Sequence, residues 1–248
     1  MCGAGLWPEN TMYAFERAVG LGSDVLEMDL RSTADGVLVL IHDDTVERTT
    51  DGSGLVNNFM LNELKKLDAG YEWTVDEGMT FPYRGQGIVV PTLEELFTAF
   101  PDMRMNIEIK EVESSVPVPL CDLIHAHNMT DKVLIGSFYT QPMNEFRQAC
   151  PEIALSATTN QVATFFILNK LFMKAAFTPT FHAMQLPEYR DNLHILTPEF
   201  VDAIRTRNLS TYAWTINDVE NMQYMLDLGV NGMVTDYPDK LIELINEK

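Results

Sequence analysis

Short apolar runs of strand length alternate along this chain with longer stretches whose apolar residues recur at helical spacing. The runs are 24–30 (DVLEMDL), 37–42 (VLVLIH), 105–110 (MNIEIK), 133–138 (VLIGSF), 153–157 (IALSA), 183–186 (AMQL), 210–216 (STYAWTI) and 232–236 (GMVTD). Several are apolar on both faces, as parallel strands covered by helices are. Between them, Asn10-Thr11 precedes MYAFERAVGLG, Thr92-Leu93-Glu94-Glu95 forms a capping box after Pro91, and Asn217-Asp218 opens a stretch that stops at Gly229. The alternation predicts an α/β fold with a mainly parallel sheet. Eight strand candidates in 248 residues favour a (β/α)8 barrel, a TIM barrel, over an open sheet.

Two places break the rhythm. Ala34-Asp35-Gly36 is a tight-turn signal that leaves no room for a crossover helix between 24–30 and 37–42. Residues 44–90, rich in Gly, Tyr and Trp, read as a small insertion after the third strand, within a single domain spanning 1–248.

Composition narrows the function. With 17 Lys+Arg against 36 Asp+Glu the net charge is −19, which argues against nucleic-acid partners and is compatible with a bound divalent cation. The longest apolar stretch, 162–181, is broken by Asn169, Lys170 and Lys174, so no transmembrane helix is expected. The first residues contain no secretory signal, which points to a cytoplasmic location unless an upstream signal peptide has been lost. Cys2, Cys121 and Cys150 are an odd, sparse set with no metal-ligand spacing, and support neither a disulfide framework nor a zinc site.

Catalytic groups of a barrel stand at the C-terminal strand ends. Glu27 and Asp29 are two apart and point to one face of their strand, and Glu108 and Lys110 repeat that geometry. Carboxylates converging from two strands repel one another unless a hard cation such as Mg²⁺ or Ca²⁺ sits among them. The competing reading has Glu27 and Asp29 capping backbone or pairing with Lys110 and Arg31. His42, at the end of VLVLI, is either a structural hydrogen bonder or an acid/base group on the same rim. His125 and His127 diverge on a helix and read as surface; His182 and His194 have no motif partners.

Taken in order, PENT (8–11), the E-x-D of Glu27 and Asp29, TADG (33–36), His42-Asp43, ERTTDGSG (47–54), PTLEE (91–95), NIEIK (106–110), GSF (136–138), AWTIN (213–217) and TDYP (235–238) resemble the glycerophosphodiester phosphodiesterase family over nearly the whole chain. The resemblance implies a phospholipase-C-like barrel that hydrolyses glycerophosphodiesters to glycerol 3-phosphate and an alcohol. It implies a divalent metal on Glu27, Asp29 and Glu108, catalysis by His42 with Lys110 on the phosphate, and Phe138 and Trp214 near the glycerol pocket. The family opens with a strand ending in His-Arg-Gly, where this chain has Met1-Cys2-Gly3-Ala4-Gly5. The barrel is therefore expected to lack its first strand, with one of the eight candidates lying outside it in the 24–42 unit.

Activity is then expected to be impaired, because one imidazole serves two proton transfers, each worth roughly 10²–10⁴-fold. A shortened reading frame, a pseudo-enzyme that binds phosphodiesters without turnover, and an enzyme recruiting another group such as His182 are the alternatives at that point. A lysophospholipase D is the rival activity. It would use 162–173, with Phe165 and Phe166, as a lipid-facing helix in peripheral membrane contact. The expected partner is a small-molecule glycerophosphodiester or lysophospholipid.

Overall fold

The computed structural model describes residues 3–112 and 116–247; the expectations placed on Met1 and Cys2 lie outside the described residues. The strands are β1 (Val25–Ser32), β2 (Leu38–Leu40), β3 (Arg104–Ile109), β4 (Val133–Gly136), β5 (Ala154–Leu155), β6 (Ala183–Pro187), β7 (Tyr189–Arg190), β8 (Leu193–His194), β9 (Ser210–Trp214) and β10 (Gly232–Met233). The α-helices are α1 (Met12–Leu21), α2 (Leu61–Leu64), α3 (Leu93–Ala99), α4 (Pro117–Ala126), α5 (Thr140–Ala149), α6 (Thr159–Lys170), α7 (Pro198–Arg205), α8 (Val219–Leu228) and α9 (Pro238–Asn246).

Two ladders run β2-β1-β3-β4-β5 and β6-β9-β10, and a parallel bridge between Ser156 and Ala183 continues one into the other. All of these pairings are parallel except β1 with β2, which are joined through a turn in which Gly36 adopts φ +79°. The 37–42 run is thus the strand outside the parallel series. Among the described residues no ladder joins β1 to β10, so these two form the ends of the curved series.

The side-chain period of the strands separates two environments. Leu26, Met28 and Leu30 of β1 and Met105, Ile107 and Ile109 of β3 are buried in one cluster with helix residues Phe15, Leu96, Phe97 and Ile124. The alternate residues, Glu27, Asp29, Asn106 and Glu108, project to the other face. There Asn106 and Gln185 of β6 exchange reciprocal amide hydrogen bonds of 2.8 and 3.0 Å. The helix starts follow the sequence: Thr11 accepts from the Ala14 N–H, Thr92 and Glu95 form the capping box, and Asp218 caps α8, which ends on Gly229 at φ +74°. Val39, Ile41, Val46, Val56, Leu64, Ala69, Ile88 and Val90 form a second cluster beneath residues 44–90.

One expectation needs correction. Cys121 and Cys150 are joined as a disulfide with Cα atoms 5.8 Å apart. Their separation of 29 residues concealed a pairing that exists only because α4 and α5 pack side by side. Phe165 is buried against Phe177 and Phe200, and the partly buried Phe166 packs edge-on against Phe200, whereas Ile167, Leu171, Phe172 and Met173 of the same segment are exposed. The β7–β8 hairpin was not anticipated, because two two-residue strands are too short to carry a period. Among the described residues no helix is long and apolar enough to cross a membrane.

Candidate active site

The C-terminal ends of β1 and β3 lie side by side, with Glu27 opposite Asn106 and Asp29 opposite Glu108 in parallel register. Equal strand direction and the two-residue period therefore bring oxygen atoms of Glu27, Asp29 and Glu108 within 4.8 Å of one another. Lys110, just past β3, places its Nζ 3.0 Å from Asp29 Oδ1 and 2.9 Å from Glu108 Oε1. Both sequence readings of these acids are thus partly realised: they converge, and two of them pair with Lys110. Arg31 takes no part in that pairing, because its guanidinium donates to the His42 carbonyl at 2.9 and 3.0 Å.

Asp29 is 1% exposed, and its position is set by Asn10. The Asn10 amide donates to Asp29 Oδ2 at 2.9 Å, and its carbonyl accepts from the Asp29 N–H at 3.1 Å. Asn10 takes φ +52°, a left-handed conformation that Asn tolerates better than most residues, immediately before the α1 cap. The sequence reading treated Asn10 only as part of a helix start. Its PENT context was the signal that pointed to it.

The electrostatics are those of a buried acidic pocket. Burial pushes the Glu27 carboxyl above its usual range, and the neighbouring Asp29 and Glu108 charges push the same way. Burial also raises Glu108, although Lys110 opposes it. For Lys110 burial acts downward, but Asp29 and Glu108 together outweigh it and hold the ammonium above its ordinary value. Among the described residues, Lys110 is the ammonium paired with Asp29 and Glu108. An all-oxygen donor set of three carboxylates fits a hard divalent cation, and Glu27, Asp29 and Glu108 are the residues that would hold it.

His42 follows β2, and its Nδ1 lies 2.6 Å from Asp43 Oδ1. Arg48 in turn donates from Nε to Asp43 at 2.5 Å, and its two terminal nitrogens grip the Glu9 carboxylate at 2.9 and 2.7 Å. Burial pushes Asp43 up, but the hydrogen bonds from Arg48 and His42 outweigh it and hold the carboxyl below its usual range. With Nδ1 on Asp43, Nε2 is the ring nitrogen left for chemistry. His42 is near enough to act electrostatically on Glu108. Glu9 and Arg48 escaped the sequence reading because they lie 39 residues apart and meet only in the fold.

Phe138 follows β4 and is 47% exposed. The Lys110 Nζ lies 5.8 Å from its ring centroid, and Trp214, at the end of β9, meets it edge-on at 5.6 Å. Both rings thus stand on the carboxylate rim. His182 does not. It immediately precedes β6, at the N-terminal strand end, where its Nδ1 accepts from the Leu155 N–H at 3.1 Å. His125 is half-exposed on α4, and His127, at the end of that helix, is partly buried against Phe97.

The chain as a whole resembles known proteins. The chain is 33% identical to a glycerophosphodiester phosphodiesterase of Caldanaerobacter subterraneus, over 97% of this chain and 93% of that one. Its fold matches the crystal structure of the glycerophosphoryl diester phosphodiesterase domain of a Mycobacterium tuberculosis protein, with TM-score 0.85, 18% identity, and coverage of 100% of this chain and 97% of that one. An Oleispira antarctica phosphodiesterase, solved in complex with the product sn-glycerol-3-phosphate, matches with TM-score 0.79 and 26% identity over 99% of this chain and 94% of that one. The glycerophosphoryl diester phosphodiesterase family model matches residues 3–240, nearly the whole described chain, and the protein therefore belongs to that family of barrel hydrolases.

Proposed function

We propose that the protein hydrolyses glycerophosphodiesters to glycerol 3-phosphate and an alcohol, with a divalent cation, Mg²⁺ or Ca²⁺, held by Glu27, Asp29 and Glu108. The observation that carries this reading is the convergence of those three carboxylates within 4.8 Å beside Lys110 and His42. The cation, when bound, supplies charge neutralisation at the phosphoryl oxygens. Lys110, held between Asp29 and Glu108, offers its ammonium to the same phosphate. His42, oriented by Asp43, moves a proton at Nε2, and Phe138 with Trp214 walls the glycerol end.

Hydrolysis requires a proton to leave the nucleophile and another to reach the departing alkoxide. Among the described residues His42 is the imidazole on this rim, and the proposed mechanism gives it both transfers in turn. The reading therefore includes slow turnover, while a phosphodiester-binding protein without turnover is the competing one.

The test is release of glycerol 3-phosphate from glycerophosphocholine, with and without EDTA and after adding back Mg²⁺ or Ca²⁺. Activity lost to EDTA and restored by one of the ions supports the proposal. Turnover indifferent to the chelator contradicts the cation's role. Thermal stabilisation by substrate without product, at high protein concentration, identifies the binding protein instead.

A further inference from the structure

The described residues contain a second cluster of metal-ligating side chains, well away from the first. Cys121 and His125 are four residues apart on α4 and share one face of that helix. Cys150 closes α5, and Glu152 follows two residues later. Both helices end there and lead into the starts of β4 and β5. The cluster therefore lies at the N-terminal ends of the strands, whereas Glu27, Asp29 and Glu108 stand toward the C-terminal ends.

The His125 ring spans the pair of sulfurs, with Nδ1 3.9 Å from Cys121 Sγ and Nε2 4.0 Å from Cys150 Sγ. Nε2 also lies 2.5 Å from Glu152 Oε1. A carboxylate accepting from Nε2–H fixes the neutral tautomer whose lone pair is on Nδ1, the nitrogen facing Cys121. A disulfide alone has no use for an oriented imidazole lone pair. A carboxylate–histidine pair beside two sulfurs is the donor set of a borderline-soft cation. The ligand-to-ligand distance in tetrahedral zinc sites is about 3.5 Å, so the imidazole stands near its place, and the sulfurs would move apart on reduction. Both sulfurs are buried while the His125 side chain is half-exposed, which leaves a solvent-facing position for entry and for a water ligand.

We propose that Cys121, Cys150 and His125 form a two-state centre: a disulfide when oxidised, and a Zn²⁺ site when reduced, with Glu152 orienting the imidazole. In the first step a dithiol reductant transfers two electrons and two protons. The Cys121–Cys150 bond breaks, two S–H bonds form, and the reductant becomes a cyclic disulfide. In the second step Zn²⁺ takes the place of the two thiol protons, which pass to solvent, and Nδ1 supplies the third protein ligand.

The test uses the whole protein, reduced with a phosphine, freed of reductant under anaerobic conditions and titrated with Co²⁺. Thiolate-to-cobalt charge-transfer absorption reports sulfur ligation, and the carboxylate site cannot produce it. We expect one equivalent of Co²⁺ to give that band in the reduced protein, displaced by Zn²⁺, with no band in the oxidised protein or in Cys150→Ser. His125→Ala should weaken Co²⁺ binding at least tenfold, and Glu152→Gln less. Three results would overturn the proposal: no band in a reduced protein with unchanged far-ultraviolet circular dichroism; a band of equal affinity in His125→Ala; or loss of the fold on reduction.

Discussion

At the C-terminal ends of β1 and β3, three carboxylates and an ammonium converge because backbone pairing holds neighbouring strands in register. At the N-terminal ends of β4 and β5, two sulfurs and an imidazole converge because two helices happen to finish together. The first cluster is charged, oxygen-rich and locked by Asn10 and Lys110. The second is sulfur-rich and joined by a bond that a reductant can open. One molecule thus carries a hard-donor site made by sheet geometry and a soft-donor site made by helix packing, and the two can be probed separately.

The largest effect that separates them should come from Asp29→Ala. It removes a carboxylate that Asn10 and Lys110 both grip, and we expect phosphodiester turnover to fall by about 10³-fold. The cysteine centre should respond to Co²⁺ as before. Lys110→Met should follow at about 10²-fold in kcat, since a single electrostatic contact to the phosphate is lost. Removing Lys110 leaves the three acids less neutralised, so the same variant should gain more thermal stability from added Mg²⁺ or Ca²⁺ than the parent does, read as a larger Tm shift. Asp43→Asn should cost roughly 10- to 100-fold in kcat with little change in KM, because it frees His42 from its anchored tautomer without touching the carboxylates. Arg48→Ala should reproduce part of that loss. Phe138→Ala removes one ring of an edge-on pair and should raise KM by up to about tenfold while leaving kcat nearly unchanged.

The smallest effect concerns the insertion. Glu47, accepting from Ser53 and Gly54, and Asp76, accepting from Thr74 and Thr80, are both lowered to about 2. Their folded values lie below the ordinary carboxylate range of about 4, so their contribution is present above that range and is lost as pH falls toward about 2. Trp73 fluorescence should therefore report loosening of residues 44–90 between about pH 4 and 2. Glu47→Gln should bring the change to higher pH.

Much of this was legible in the chain. The strand runs, the capping box at Thr92 and the Asn217-Asp218 start all depend on neighbours within a few residues, and the structure reproduces them. Glu27 with Asp29, and Glu108 with Lys110, could be assigned to one face because a strand's period is two. Asn10 on Asp29, and Arg48 on Glu9, were missed because their partners lie 19 and 39 residues away along the chain. The burial of Phe165 could not be read from the chain, because an apolar helix has the same composition whether it covers a sheet or a membrane.

The sequence by itself determined the local elements and the side of each strand on which its acids stand, since backbone sterics and side-chain period act over a few residues. Only the tertiary structure decided that β1 and β3 would be neighbours, that Lys110 would sit between Asp29 and Glu108, and that Cys121 would meet Cys150. Those contacts close loops of tens of residues, and the energy that closes them comes from burying the apolar faces of the helices against the sheet, which no short window of sequence contains.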